Sequence, residues 1–180
     1  MFSNIQRTSY AFNDPGTYCI FAKVTPNDCP ALYTDTIVVV RHPELSPGTI
    51  TGSDVICYKT TPSPLLQIVS PKGGNGVYAY QWQQKDSSDW KDIAGAELTS
   101  YSPSALTKTT TYRLKITNDC GVIYSNEQTI IVRPALTAPL VSDNETICYG
   151  TEPTLLSVTS LAAGGIDDSF TYQWQESTDG

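Results

Sequence analysis

Tyr112-Arg113-Leu114-Lys115-Ile116-Thr117 alternates apolar and polar residues without a break. Successive side chains of an extended chain point to opposite faces, so Tyr112, Leu114 and Ile116 fall on one face and Arg113 and Lys115 on the other. The stretch predicts a half-buried strand. Upstream, Tyr78-Ala79-Tyr80-Gln81-Trp82-Gln83 places Tyr78, Tyr80 and Trp82 on one face and its glutamines on the other. Shorter strands are predicted over residues 50–56, 65–69, 90–93, 98–101 and 122–132. Turn formers separate them: Ser70-Pro71-Lys72-Gly73-Gly74-Asn75-Gly76, Lys85-Asp86-Ser87-Ser88-Asp89, and the hairpin signal Asn118-Asp119-Cys120-Gly121. About seven short strands in roughly 90–100 residues, with no helical periodicity, predict an all-β chain. The expected architecture is an immunoglobulin-like antiparallel β-sandwich with Trp82 in its core, and a small barrel is the alternative.

The signals recur. Ile56-Cys57-Tyr58 returns as Ile147-Cys148-Tyr149 and Gly73-Gly74 as Gly164-Gly165, both 91 positions later; Tyr80-Gln81-Trp82-Gln83 returns as Tyr172-Gln173-Trp174-Gln175 after 92. Ser9-Tyr10, Asn27-Asp28-Cys29 and Tyr33 return as Ser100-Tyr101, Asn118-Asp119-Cys120 and Tyr124 at 91, and Arg41 as Arg133 at 92. A fixed period of this length marks tandem repeats. Residues 1–43 then read as the C-terminal half of one repeat, 44–138 as a complete repeat with its linkers, and 139–180 as the N-terminal half of a third. The joints His42-Pro43-Glu44-Leu45-Ser46-Pro47-Gly48 and Pro134-Ala135-Leu136-Thr137-Ala138-Pro139 are proline-rich, which ends strands and stiffens connections. Neither half buries enough core to be stable alone.

Composition narrows the function. Of 180 residues 39% are hydrophobic, and 11 basic against 18 acidic residues leave a net charge of −7. No Lys/Arg cluster is available to neutralise a row of phosphates, so nucleic acid is not an expected partner, nor is an anionic membrane surface. No apolar run approaches the 18 or so residues of a membrane span, and residues 1–4 do not start a signal peptide. The one histidine, His42, lies beside Pro43 in a linker and is expected to be solvated rather than catalytic.

Five cysteines are present: Cys19, Cys29, Cys57, Cys120 and Cys148. The complete repeat carries one before its second strand and one in its last hairpin, which predicts a Cys57–Cys120 disulfide in an oxidising compartment, with two separate buried thiols as the alternative. Cys29 and Cys148 then have partners in missing halves or a neighbouring chain, and Cys19 is an extra. Cys/His spacings for zinc are missing, and no metal or cofactor is expected. Asp86, Asp89 and Asp92 around Trp90 form a cluster of the kind that holds calcium, but their spacing is not that of an EF-hand and a solvated acidic turn is expected. Trp90 is a possible glycan contact, because aromatic faces stack on sugars, although sandwich aromatics are more often buried. Asp167-Asp168 reads as a charge pair in a turn, and Asn144-Glu145-Thr146 is a formal glycosylation sequon.

The pattern Ile56-Cys57, Gly-Gly, Tyr80-Gln81-Trp82-Gln83, Trp90 with Ile93 and Gly95-Ala96, Tyr101-Ser102-Pro103, Thr111-Tyr112, Asn118-Asp119-Cys120-Gly121 and Ser125-Asn126 resembles the Ig-like/PKD-like repeats of very large Bacteroidetes surface proteins, notably gliding-motility adhesins of the SprB type. Pro15-Gly16-Thr17-Tyr18 is similar to the strand start of the same repeats. The resemblance implies export through the type IX secretion machinery, a place at the bacterial cell surface, and many tandem β domains forming a filament. It implies no active-site residues. The expected function is therefore a non-enzymatic stalk or adhesive filament serving cell adhesion and gliding motility, with neighbouring repeats and surface glycans as partners. The alternatives are a carbohydrate-binding module and an accessory β-sandwich of a secreted hydrolase.

Overall fold

A computed structural model describes residues 9–165 and 169–177; Asp167 and Asp168 lie outside them. All regular structure in the described residues is strand: β1 (Gly16–Ile20), β2 (Lys23–Val24), β3 (Leu32–Tyr33), β4 (Ile37–Arg41), β5 (Thr49–Thr51), β6 (Asp54–Ile56), β7 (Leu65–Val69), β8 (Ala79–Asp86), β9 (Asp89–Asp92), β10 (Ser100–Tyr101), β11 (Thr110–Asn118), β12 (Gly121–Tyr124), β13 (Gln128–Val132), β14 (Leu140–Val141) and β15 (Val158–Ser160).

The centre of the chain folds into two sheets. One has the order β10-β7-β5; the other has the order β6-β13-β11-β8-β9, with β12 also paired to β11. As the alternation predicts, Tyr112, Leu114 and Ile116 of β11 point inward and are buried, while Arg113 and Lys115 lie half-buried on the opposite face. The inward residues meet Trp82 of β8 and Ile130 of β13, and from the other sheet Ile50 of β5 and Leu65 of β7, each at most 2% exposed, in one cluster that also takes in Ala96. Each such side chain contributes about 1.5–3 kcal/mol by leaving water. The buried indole of Trp82 keeps its polar edge satisfied by donating to the Leu98 carbonyl at 2.9 Å.

Two predicted strands are each divided. The stretch 50–56 is cut at Gly52, whose φ of +131° favours glycine. On one side β5 pairs antiparallel with β7, and on the other β6 pairs parallel with β13, so the chain crosses between sheets there. A Cβ on Gly52 would press on Leu65 in the core. The stretch 122–132 is likewise cut between β12 and β13. Here Ser125 Oγ accepts from the Leu114 amide at 2.9 Å, and the Asn126 side chain accepts from the Ile50 amide at 2.8 Å and donates to the Ile50 carbonyl at 2.9 Å. Asn126 thus completes the edge of β5 as a strand would, from the opposite sheet.

Outside this centre, β1 pairs with β4, β2 with β3 and β14 with β15, all antiparallel. Much of their apolar surface is open: Leu32, Ile37 and Leu140 are exposed, and Trp174, 92 positions after the fully buried Trp82, is 54% exposed. The backbone after residue 134 retraces that after residue 43. Thr49 faces Val69 as Leu140 faces Ser160, and Ile50 faces Gln67 as Val141 faces Val158, with a register shift between the two pairs in both places. The Thr60 amide donates to the Cys57 carbonyl, and the Thr151 amide to that of Cys148. Asp54 receives the Ser63 amide at 3.1 Å, and Glu145 that of Thr154 at 2.8 Å.

Candidate functional site

Strand register assembles one polar face. Lys85 of β8 faces Trp90 of β9, Gln83 faces both Asp92 and Arg113, and Lys115 of β11 faces Tyr124 of β12. Residues far apart in sequence thus share the outer surface of the larger sheet. The Arg113 guanidinium lies between two rings, 4.1 Å from the centroid of Trp90 and 3.8 Å from that of Tyr124. Its Nε donates to Gln83 Oε1 at 2.7 Å, while Gln83 Nε2 donates to Asp92 Oδ1 at 2.5 Å. Lys115 reaches Asp92 at 3.3 Å, and the Lys85 ammonium stands 5.5 Å from the Trp90 centroid. Trp90, the candidate glycan contact, is therefore partnered by cations from its own sheet.

Two of the three carboxylates of the acidic cluster, Asp86 and Asp92, are also spoken for. Asp86 pairs with Lys91 at 2.6 Å and with Lys108 at 3.5 Å, and the Lys91 bond holds its carboxyl below the usual range while raising the Lys91 ammonium. The hydrogen bond from Gln83, helped by Lys115, lowers Asp92. Backbone amides of Ser63 and Val55 do the same to Asp54. Among the described residues no three His, Cys, Asp or Glu side chains converge to hold a metal ion. No helix in them is long and apolar enough to cross a membrane.

The expected Cys57–Cys120 disulfide is not formed. All five cysteines are free and exposed. The physical reason lies in strand direction. Cys57 follows Ile56, which pairs with Val132 at the end of β13, so it sits where the chain leaves the sandwich. Cys120 lies past the far end of β11, which begins beside Ile130 and runs away for 9 residues. At about 3.3 Å per residue the strand separates the two by well over 20 Å, against a Cα limit of about 7 Å for a disulfide.

Cys57 and Cys120 each line a cavity at a joint instead. The upstream cavity contains Arg41, His42, Pro43 and Leu45 together with Cys120. The downstream cavity contains Cys57, Pro134, Ala135, Leu136 and Gly165. Both linkers are docked on the body that follows them: the Gly74 amide donates to the Pro43 carbonyl at 2.8 Å, and that of Gly165 to the Pro134 carbonyl at 3.1 Å. Isolated bridges Ser46–Lys72 and Thr137–Ala163 secure the next residues. The prolines pointed to stiff joints; the docking onto Gly73-Gly74 and Gly164-Gly165 becomes legible only through the repeat. Cys29 and Cys148 are likewise exposed, as is Cys19 within β1.

The model of a family described as a domain of unknown function (DUF8696) matches residues 46–134 and again 137–180. The two matches start 91 residues apart. No curated protein matches the chain.

Proposed function

We propose that this chain, which belongs to the DUF8696 family of domains of unknown function and matches it twice in succession, is a run of tandem immunoglobulin-like repeats forming the stalk of a secreted cell-surface adhesin. The observation that carries the reading is the linker docked twice in the same way, with Pro43 on Gly74 and Pro134 on Gly165. A linker hydrogen-bonded to the following body passes its orientation on, and repeated docking extends the chain in one direction. A bacterial surface, type IX export and a part in gliding follow from the family resemblance stated above. Asp86 and Asp92 are engaged in ion pairs with Lys91, Lys108 and Lys115, which supports a non-enzymatic role.

The test has two arms. Antibodies raised against residues 44–134 are expected to label intact source cells, and the label to disappear on surface proteolysis; label seen only after permeabilisation overturns the surface stalk. Small-angle scattering of chains with added copies of residues 44–134 is expected to show maximum dimension rising in proportion to copy number. A dimension that stays constant removes the stalk.

A further inference from the structure

The two joint cavities are copies of one another. Pro43-Glu44-Leu45 lines the upstream one and Pro134-Ala135-Leu136 the downstream one, 91 residues on, and the same three backbone hydrogen bonds dock both linkers. Each copy shows a different wall. Downstream, the wall comes from the preceding body, through Cys57. Upstream, it comes from the β11–β12 hairpin of the following body, through Cys120. Laying one copy on the other brings a Cys57 and a Cys120 to opposite sides of a single cavity.

Two neighbours fix the same placement independently. The Arg133 amide donates to the Ile56 carbonyl at 2.9 Å, which puts Cys57 beside Arg133, and Arg41, the counterpart of Arg133, lines the cavity that holds Cys120. Gly165 lines the cavity that holds Cys57, and its counterpart Gly74 packs against Asn118, two residues before Cys120.

We infer that wherever two complete units follow one another, Cys57 of one bonds to Cys120 of the next, stapling the joint. The oxidant is a small disulfide such as oxidised glutathione. One cysteine thiolate attacks it, forming a mixed disulfide and releasing one glutathione thiol. The second cysteine thiolate then attacks the bound cysteine sulfur, forming the cross-link and releasing the other. Two thiols lose two protons and two electrons, and one glutathione disulfide becomes two thiols. The cross-link rests on the tandem order of the proposed stalk but not on its location, so loss of surface labelling leaves it standing, and a missing cross-link leaves the surface stalk standing.

The test duplicates residues 44–134 in place, so that Pro134 is followed by Glu44 and the Pro-Glu-Leu joint is kept. With Cys19, Cys29 and Cys148 changed to serine, one variant keeps only Cys57 of the first copy and Cys120 of the second. The reciprocal variant keeps only Cys120 of the first and Cys57 of the second. After dilute incubation in a glutathione redox buffer, alkylation and non-reducing peptide mass spectrometry, the first is expected to yield the linked peptides and the second two alkylated thiols. Two alkylated thiols in the first, or equal linkage in both, overturns the proposal. The unsubstituted chains give a second reading independent of those serines: the duplicated monomer, with two more cysteines, is expected to show the same five free thiols as the original chain. Seven free thiols, or a Cys57–Cys120 link within the original monomer, also overturns it.

Discussion

Gly73 lies so close beneath the carbonyl of Glu44 that no Cβ fits between them, and Gly164 lies beneath that of Ala135 in the same way. The linker therefore rests on backbone, and the turn that receives it must be glycine for want of space as well as for its φ of +82°.

Gly73→Ala is expected to lower stability by about 2–4 kcal/mol, combining left-handed strain with displacement of the linker. Gly76 supplies the comparison, since it has φ +78° and open space around it. Gly76→Ala should cost only the strain, about 1–2 kcal/mol. Urea unfolding of the two variants measures the difference, and equal costs would mean that the Glu44 contact contributes nothing.

Trp82 and Trp174 occupy equivalent places in the repeat but opposite environments, fully buried and 54% exposed. Trp82→Ala is expected to cost about 3–5 kcal/mol. Trp174→Ala should change the stability of the central sandwich by no more than about 0.5 kcal/mol. Thermal denaturation followed by near-ultraviolet circular dichroism separates them.

The stack of Arg113 on Trp90 and Tyr124 predicts measurable coupling. In a double-mutant cycle, Arg113→Ala and Trp90→Ala should show about 0.5–1 kcal/mol of interaction. Arg113→Lys keeps the charge but loses the planar stack and the Gln83 bond, so it should recover little of the loss. Coupling near zero would show the rings to be neighbours without consequence.

Alkaline pH tests the core. Burial pushes the Tyr112 hydroxyl up to about 12, and burial also raises Tyr101. Above the ordinary tyrosine value near 10 the unfolded chain releases this proton more readily than the folded one. Stability is therefore fully present below about pH 10 and falls as pH rises towards 12, by roughly 2–3 kcal/mol for Tyr112. Chemical denaturation between pH 8 and 12 should show that fall, and Tyr112→Phe should reduce it. Towards acid the sign reverses: Asp54, Asp86 and Asp92 are held low, so their contribution is present at neutral pH and lost as pH drops through their folded values.

Much of the fold is legible in local pattern, and what is not depends on contacts between distant residues. The alternation in 112–117 marks β11 and its buried face, because a pleated strand leaves its periodicity in the sequence. The division of 50–56 at Gly52 follows from a change of partner strand, which has no local signature beyond the glycine itself. The Arg113 stack required knowing that β9, β8, β11 and β12 lie side by side; only then do outward residues of four strands become neighbours. Cys57 and Cys120 show the same limit. Their spacing within a repeat pairs them on paper, while the direction of β11 sends them to opposite poles.

One further consequence follows from the parallel pairing of β6 and β13, in which Asp54 faces Ile130, Val55 faces Ile131 and Ile56 faces Val132. These strands lie near the two ends of the central sandwich's sequence, so a pull on the chain draws them past each other along their length. Tension then falls on the whole ladder at once rather than peeling it bond by bond. Under such a pull the two sheets are expected to yield abruptly rather than unravel from one end.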